Sequence, residues 1–104
     1  MNRLQTLQKE IGDWNRVNFV GDLPLDKFLG VVEEVGELSH AILKRKQGVR
    51  GTPQELYEKE LDAIGDIMIF LLGYCNLAGH DLSDILENTW AQVRQRRRGE
   101  GEWR

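Results

Sequence analysis

Glu33-Glu34-Val35-Gly36-Glu37 is the stretch that decides the fold, and it lies within a helical run from about Pro24 to Lys46. Because an α-helix has about 3.6 residues per turn, the second and third glutamates share one face, with the first at its edge. Apolar side chains cover most of the remaining surface of this helix: Leu25, Phe28, Leu29, Val31, Val32, Val35, Leu38, Ile42 and Leu43.

A second apolar helix repeats the arrangement, with Asp62 and Asp66 four residues apart on one face. Both helices are too apolar to be stable alone in water, so we expect them to pack together. Each carries a short acidic stripe, and we expect the two stripes to face each other. Four uncompensated carboxylates would repel and raise one another's pKa values. Divalent cations resolve that conflict, and hard oxygen ligands with few histidines favour Mg²⁺, with Mn²⁺ as the alternative.

Length and composition favour a soluble globular protein with a single domain. The 104 residues allow one modest core, and 40% hydrophobic with 30% charged residues is typical of globular chains. We predict one helical domain over residues 1–98 and a C-terminal tail over 99–104. The net charge of −3 argues against a dedicated nucleic-acid-binding protein.

The predicted location is the cytoplasm. The segment Met1 to Glu10 is polar and does not resemble a signal peptide, and the apolar run from Ile64 to Tyr74 is too short to span a bilayer. The lone cysteine, Cys75, has no internal disulfide partner and is interpreted as a small core residue.

Apolar periodicity predicts four helices and no strand. Asp22, Thr52 and Asp81 are the candidate N-caps of the second, third and fourth helices. We therefore predict an all-α, four-helix bundle-like domain with helices two and three at its centre. Those central helices are apolar on two sides, so we expect a homodimer or homotetramer rather than a monomeric bundle. The expected helices cover about Asn2–Asn18, Pro24–Lys46, Pro53–Ala78 and Leu82–Arg97.

The order of these acids resembles the MazG-like family of all-α nucleoside triphosphate pyrophosphohydrolases, whose pattern is EExxE followed later by ExxD. The run from Phe28 to Leu38 is similar to the second helix of that family, and Gly65-Asp66 before an apolar run is similar to its third. Trp14 and Asn18-Phe19 also resemble smaller members. The resemblance covers roughly residues 10 to 97.

One position departs from the family pattern. The glutamate of ExxD would fall at Ala63, which has no metal-binding group. Asp62 lies one position earlier, on the same face as Asp66, and is interpreted as the substitute ligand.

The resemblance implies a metal-dependent hydrolysis. Glu34, Glu37 and Asp66, completed by Asp62, would bind Mg²⁺, and Glu33 would bind a further ion or orient the attacking water. Metal would neutralise the triphosphate and make bound water more acidic. Cleavage between the α- and β-phosphates would release a nucleoside monophosphate and pyrophosphate.

Residue type alone suggests the substrate contacts. Lys44, which falls on the acidic face, and an arginine among Arg94 and Arg97 are candidates for phosphate oxygens. Trp14 or Phe19 could stack on the base, although Trp14 is more readily interpreted as a core residue.

His40 completes an ExxH element of the di-iron type, but a second such element is absent from the sequence. Two other functions remain open. A phosphoribosyl-ATP pyrophosphohydrolase belongs to the same superfamily as the house-cleaning (d)NTP enzymes. A non-catalytic helical interaction protein would use the acids structurally and its basic C-terminal region to contact a partner.

Overall fold

The fold is all-α, as predicted. The computed structural model describes residues 1–96, and within them no strand occurs. The tail over 99–104 therefore lies outside the described residues. Four α-helices follow one another along the chain: α1 is Arg3–Asn18, α2 is Pro24–Gln47, α3 is Pro53–Ala78 and α4 is Leu82–Val93.

Two of the three proposed N-caps are confirmed. The Thr52 hydroxyl accepts from the Glu55 N–H at 3.1 Å, and the Glu55 carboxylate accepts from the Thr52 N–H at 3.3 Å, which forms a capping box. The Asp81 side chain accepts from the Asp84 N–H at 3.2 Å at the start of α4.

The proposed Asp22 cap is wrong. Leu23 occupies the N-cap of α2, and its N–H donates to the Asp26 carboxylate at 2.8 Å. Asp22 instead pairs with the Lys27 ammonium at 2.9 Å. The ion pair is favoured over the cap because the Lys27 side chain is only 3% exposed, and a buried ammonium needs a compensating anion.

The fourth helix is shorter than predicted, because it ends at Val93 rather than near Arg97. The N–H groups of Gln95 and Arg96 each donate to a carbonyl three residues back, which is the hydrogen-bond pattern of a tighter 3₁₀-type turn rather than of an α-helix. Arg97 itself lies outside the described residues.

Helices α2 and α3 form an antiparallel hairpin that is the centre of the molecule. Near the connecting loop, Arg45 donates to Glu60 at 2.6 Å. Farther along, the Phe70 ring packs on Gly30, where a Cβ would lie 2.3 Å from a ring carbon. Helix α1 packs on α3, and α4 packs on α1.

A junction of side-chain amides joins α1 to α3 and α4. The Gln8 amide donates to the His80 carbonyl at 2.8 Å and accepts from the Leu82 N–H at 3.1 Å. The Asn76 amide donates to the Gln8 carbonyl at 2.8 Å. We call this group, with Asn2–Ser83 and Gln5–Asp81 contacts of 2.8 Å, the amide junction.

The chain is more open than a compact four-helix bundle. Its radius of gyration is 16.8 Å, whereas a compact domain of this length has about 13 Å. Few apolar residues are buried, and the outer face of the hairpin is apolar and exposed. This outer face consists of Leu25, Phe28, Leu29, Val32, Val35, Ile42 and Leu43 from α2 with Leu61, Ile64, Met68 and Ile69 from α3.

Helix α3 also meets a length and hydropathy criterion for a membrane span. It has 26 residues, and 22% of its most apolar window is buried. The prediction that the apolar run is too short to span a bilayer concerned Ile64 to Tyr74, which is only part of this helix. Core helices of soluble proteins meet the same criterion.

Candidate active site

The acidic stripes of α2 and α3 meet at one cleft of about 300 Å³, as their spacing predicted. Both helices supply side chains to it, from positions that recur every three or four residues. We call this site the carboxylate cleft. Its lining residues are Glu34, Glu37, His40 and Ala41 from α2, and Lys59, Asp62, Ala63 and Asp66 from α3.

Two alanines form the buried part of the cleft. Ala41 is 1% exposed and Ala63 is 3% exposed, so these small side chains let the two helices approach closely. Ala63 occupies the position where the resembled family has glutamate, and it is buried in this interface. Asp62 and Asp66 are exposed neighbours of the same cleft.

Glu34 carries the clearest electrostatic signature of the cleft. Partial burial raises the pKa of its carboxyl, and the negative charges of Asp66, Glu33 and Glu37 raise the pKa further. Asp66 is the largest of the three charge contributions although it lies on the other helix. The two stripes are therefore close enough to repel.

Lys59 is a member of the cleft that the sequence analysis missed. It is exposed, and within residues 1–96 its ammonium forms no ion pair. Helical periodicity could have identified it, because Lys59, Asp62 and Asp66 lie on one face of the helix at spacings of three and four residues.

Several candidate residues do not line the cleft. Glu33 is exposed beside it and acts on Glu34 only through its charge. The Lys44 ammonium donates to the Gln47 side chain at 3.1 Å. Arg94 is the C-cap of α4, which packs on α1 rather than on the hairpin.

The two aromatic candidates lie elsewhere. Trp14 is 55% exposed, so the interpretation of this residue as core is wrong for the described chain. Its ring centroid lies 5.6 Å from that of Phe19, which is 46% exposed. Phe19 lines a different pocket of about 340 Å³ between α1 and the hairpin.

The donor chemistry of the cleft suits a hard divalent cation, because its acids offer only oxygen. Within residues 1–96, however, no three His, Cys, Asp or Glu side chains are gathered closely enough to hold a metal ion. The carboxylates share a cleft without converging on one point, and mutual repulsion favours such a separation.

Cys75 is confirmed as a small buried residue. Burial raises the pKa of its thiol, and the negative charge of Asp81 raises it further. The thiol therefore stays protonated near neutral pH and is a poor nucleophile.

Comparison with known proteins yields no relative: no protein-family model, no curated protein and no solved structure matches this chain.

Proposed function

We propose that this chain is a cytoplasmic, Mg²⁺-dependent nucleotide pyrophosphohydrolase of the MazG-like kind, which hydrolyses the bond between the α- and β-phosphates of (d)NTPs. The observation that carries this proposal is the carboxylate cleft. Four acids from two otherwise apolar helices line one cavity, and Asp66 and Glu37 both raise the pKa of Glu34. A protein without a use for them would gain stability by replacing them.

In this proposal Glu34, Glu37 and Asp66 hold Mg²⁺, and Asp62 completes the set in place of a glutamate at Ala63. When bound, the cation would neutralise the triphosphate and make a water molecule a better nucleophile. Glu33, which is exposed beside the carboxylate cleft, would orient the attacking water or hold a further ion. Mn²⁺ would substitute, because it prefers the same ligands.

Lys59 is the cation that we assign to phosphate. Lys59 lines the same cleft as the acids, and within residues 1–96 it forms no ion pair with any of them. A lysine in this position would bind phosphate oxygens and stabilise the charge of the leaving pyrophosphate. The sequence also suggested Lys44, Arg94 and Arg97 for this role. The first two do not line the cleft, and Arg97 lies outside the described residues.

We further propose that two or more copies of the chain associate through the apolar outer face of the hairpin. Val32 is 52% exposed and Leu29 is 54% exposed on the same side of α2. Such a continuous apolar surface marks an interface in a soluble protein. Analytical ultracentrifugation should give a dimer or tetramer, and Val32→Lys should shift it to monomer, whereas Val17→Lys on α1 should not.

The experiment that tests the activity is pyrophosphate release from a panel of canonical and modified NTPs and dNTPs, with Mg²⁺ and with EDTA. Metal-dependent formation of monophosphate and pyrophosphate is expected. Release from phosphoribosyl-ATP but from no dNTP would select that specialised substrate instead. Absence of release from all of them would overturn the proposal.

The openness of the chain favours a second candidate, a non-catalytic helical interaction protein. Its apolar outer face is exposed, and its acids do not converge on a preformed metal site within residues 1–96. On that interpretation Mg²⁺ neither binds nor raises the melting temperature. Stabilisation by Mg²⁺ that disappears on mutating the cleft acids would exclude it.

A further inference from the structure

Helix α4 has little cover for its apolar face within its own chain. It has 12 residues and packs mainly on α1. Ile85 is 43% exposed, Leu86 is 56% exposed and Trp90 is 57% exposed. A helix of this length is only marginally stable alone in water, and burial of one face supplies most of its stability. We call this face, formed by Leu82, Ile85, Leu86, Trp90 and Val93, the α4 stripe.

An apolar groove of about 450 Å³ runs along the C-terminal half of α2. It overlaps the outer face of the hairpin and shares no lining residue with the carboxylate cleft. Its small middle residue, Ser39, leaves the groove deepest there. We call it the α2 groove, and it is lined by Val35, Leu38, Ser39, Ile42, Leu43 and Lys46.

The α4 stripe and the α2 groove match in length and in period. Residues 82–93 and residues 35–46 each cover 12 positions, or about 17 Å of helix axis. In both ranges the apolar residues recur every three or four positions, so side chains of one helix can pack between those of the other.

The charges favour an antiparallel arrangement of these two helices. The charged residues of α4 are Asp84 and Glu87, both acids in its N-terminal half. Within residues 1–96 of one chain, neither of them forms an ion pair. The last turn of α2 is basic, and its Lys46 lines the groove. An antiparallel helix pair places the acids of α4 beside the basic end of α2.

The antiparallel register also places the bulkiest side chain of the α4 stripe near the middle of the groove. Aligning the two ranges end to end puts Thr89 opposite Ser39. Trp90 follows Thr89 and therefore lies over the deepest part of the groove. Tryptophans buried near the centre of an interface carry a large share of its binding energy.

The surface area of the chain leaves room for such a contact. The chain exposes 7864 Å², whereas a compact monomer of 12.0 kDa exposes about 6,000 Å². A standard interface covers about 800 Å² of each partner. The excess is therefore large enough for an interface of standard size.

We propose that α4 of one copy lies antiparallel in the α2 groove of a second copy, which places its own α4 in the groove of the first. Because α4 packs on α1 in its own chain, the helix that enters the groove comes from the other copy. The reciprocal contact has two-fold symmetry and closes at two copies. It rests on the association proposed above for the outer face, and it requires neither metal nor turnover.

The first test is sedimentation equilibrium of the full-length chain without nucleotide or added metal. The unmodified chain should be at least dimeric. Trp90→Ser should raise the dissociation constant at least about thirtyfold, the scale of losing a central tryptophan from an interface. Circular dichroism verifies that the variant folds.

The matched control is Trp14→Ser on α1, because Trp14 is 55% exposed and lies outside the α4 stripe. It should leave the dissociation constant unchanged. A monomeric unmodified chain, or equal dissociation constants for the unmodified chain and Trp90→Ser, would overturn the proposal.

Cysteine cross-linking tests the register with little change to the contact. One chain carries Ser39→Cys and another carries Thr89→Cys, both conservative changes at exposed positions. The native Cys75 is buried and does not compete. After the two chains are mixed and oxidised, a disulfide between them is expected, and neither variant alone should cross-link.

The other cross-linking results contradict the exchange. A disulfide formed by Ser39→Cys alone would place groove against groove, and the absence of any disulfide would leave α4 outside the groove. This proposal and the hydrolase fail separately. The mixed disulfide without pyrophosphate release removes the hydrolase, and release by a chain that forms no mixed disulfide removes the exchange of α4.

Discussion

The carboxylate cleft and the amide junction are both polar interfaces between helices, but their energetics are opposite. In the amide junction the donors and acceptors of Gln8 and Asn76 are matched at 2.8–3.1 Å. In the carboxylate cleft, partial burial raises the pKa of Glu34, and the like charges that meet across α2 and α3 raise it further.

This difference is the physical reason for proposing a structural role for the amide junction and a functional role for the carboxylate cleft. Satisfied amides fix one arrangement of α1, α3 and α4, because leaving any of them unpaired costs free energy. Adjacent carboxylates reduce stability until a cation or a proton compensates them. The junction should therefore govern folding, and the cleft should govern ligand binding and turnover.

The largest effect is expected from Glu37→Gln in the cleft. Turnover should fall at least about a hundredfold, the scale of losing one electrostatic stabiliser of a transition state. The fold should survive, because the change removes a charge from a repulsive cluster. The measurement is the pyrophosphate-release rate, with circular dichroism to verify folding.

Glu87→Gln on α4 is the matched control, since Glu87 is exposed and away from the hairpin seam. It should retain full activity. A folded Glu37→Gln variant with unmodified turnover would remove Glu37 from the site.

The next effect is stabilisation by metal. Mg²⁺ at a hundred times its dissociation constant should raise the free energy of unfolding by about 2.7 kcal/mol. Asp66→Asn should abolish that increase, and thermal melts with and without EDTA measure it. An equal increase in the Asp66→Asn variant would place the cation elsewhere.

In the amide junction, Gln8→Ala should reduce the free energy of unfolding by roughly 1–3 kcal/mol, because it leaves buried partners unsatisfied. Gln8 is 8% exposed. Urea denaturation measures the loss, and Gln54→Ala at an exposed position of α3 is the control. Turnover of the folded fraction should be unchanged, so a specific loss of activity would break the distinction between the two interfaces.

The smallest effect is pH-dependent. Glu34→Gln should raise the free energy of unfolding near pH 7 by a few tenths of a kcal/mol, the scale of a like-charge pair on a helix. The raised pKa means that the folded chain binds this proton more tightly than the unfolded chain, so the unmodified protein becomes relatively more stable as pH falls through that window.

The advantage of Glu34→Gln should therefore shrink on acidification and vanish below the ordinary range of a glutamate carboxyl. Thermal melts of both proteins at several pH values measure this. A difference that grows towards low pH would show that Glu34 is stabilised, rather than repelled, by its neighbours.

Much of the cleft was predictable because the signals are local. The three-residue spacing of Glu34 and Glu37 on α2, like the four-residue spacing of Asp62 and Asp66 on α3, defines a face of a single helix. The apolar residues around each pair leave few directions in which that face can point. The caps at Thr52 and Asp81 also depend on groups within three residues. Short-range geometry is contained in the sequence itself.

What was missed or misplaced depends on contacts across helices. Nothing in the sequence marked Lys27 as buried, yet tertiary packing buries its side chain. Asp22 then pairs with Lys27 instead of capping α2 as predicted. Lys44 shares a face with the acids by periodicity, but Lys59 on the other helix is the lysine that reaches the cleft.

By itself, the sequence determined four α-helices and two acidic stripes of carboxylate side chains. Both follow from residues only a few positions apart, which decide where a helix forms and which face of it a side chain occupies. Tertiary structure alone decided the open shape, the buried Lys27 pair, the amide junction and the separation of the Phe19 pocket from the cleft. Those features depend on the relative register and distance of helices, which residues far apart in the chain set together through packing.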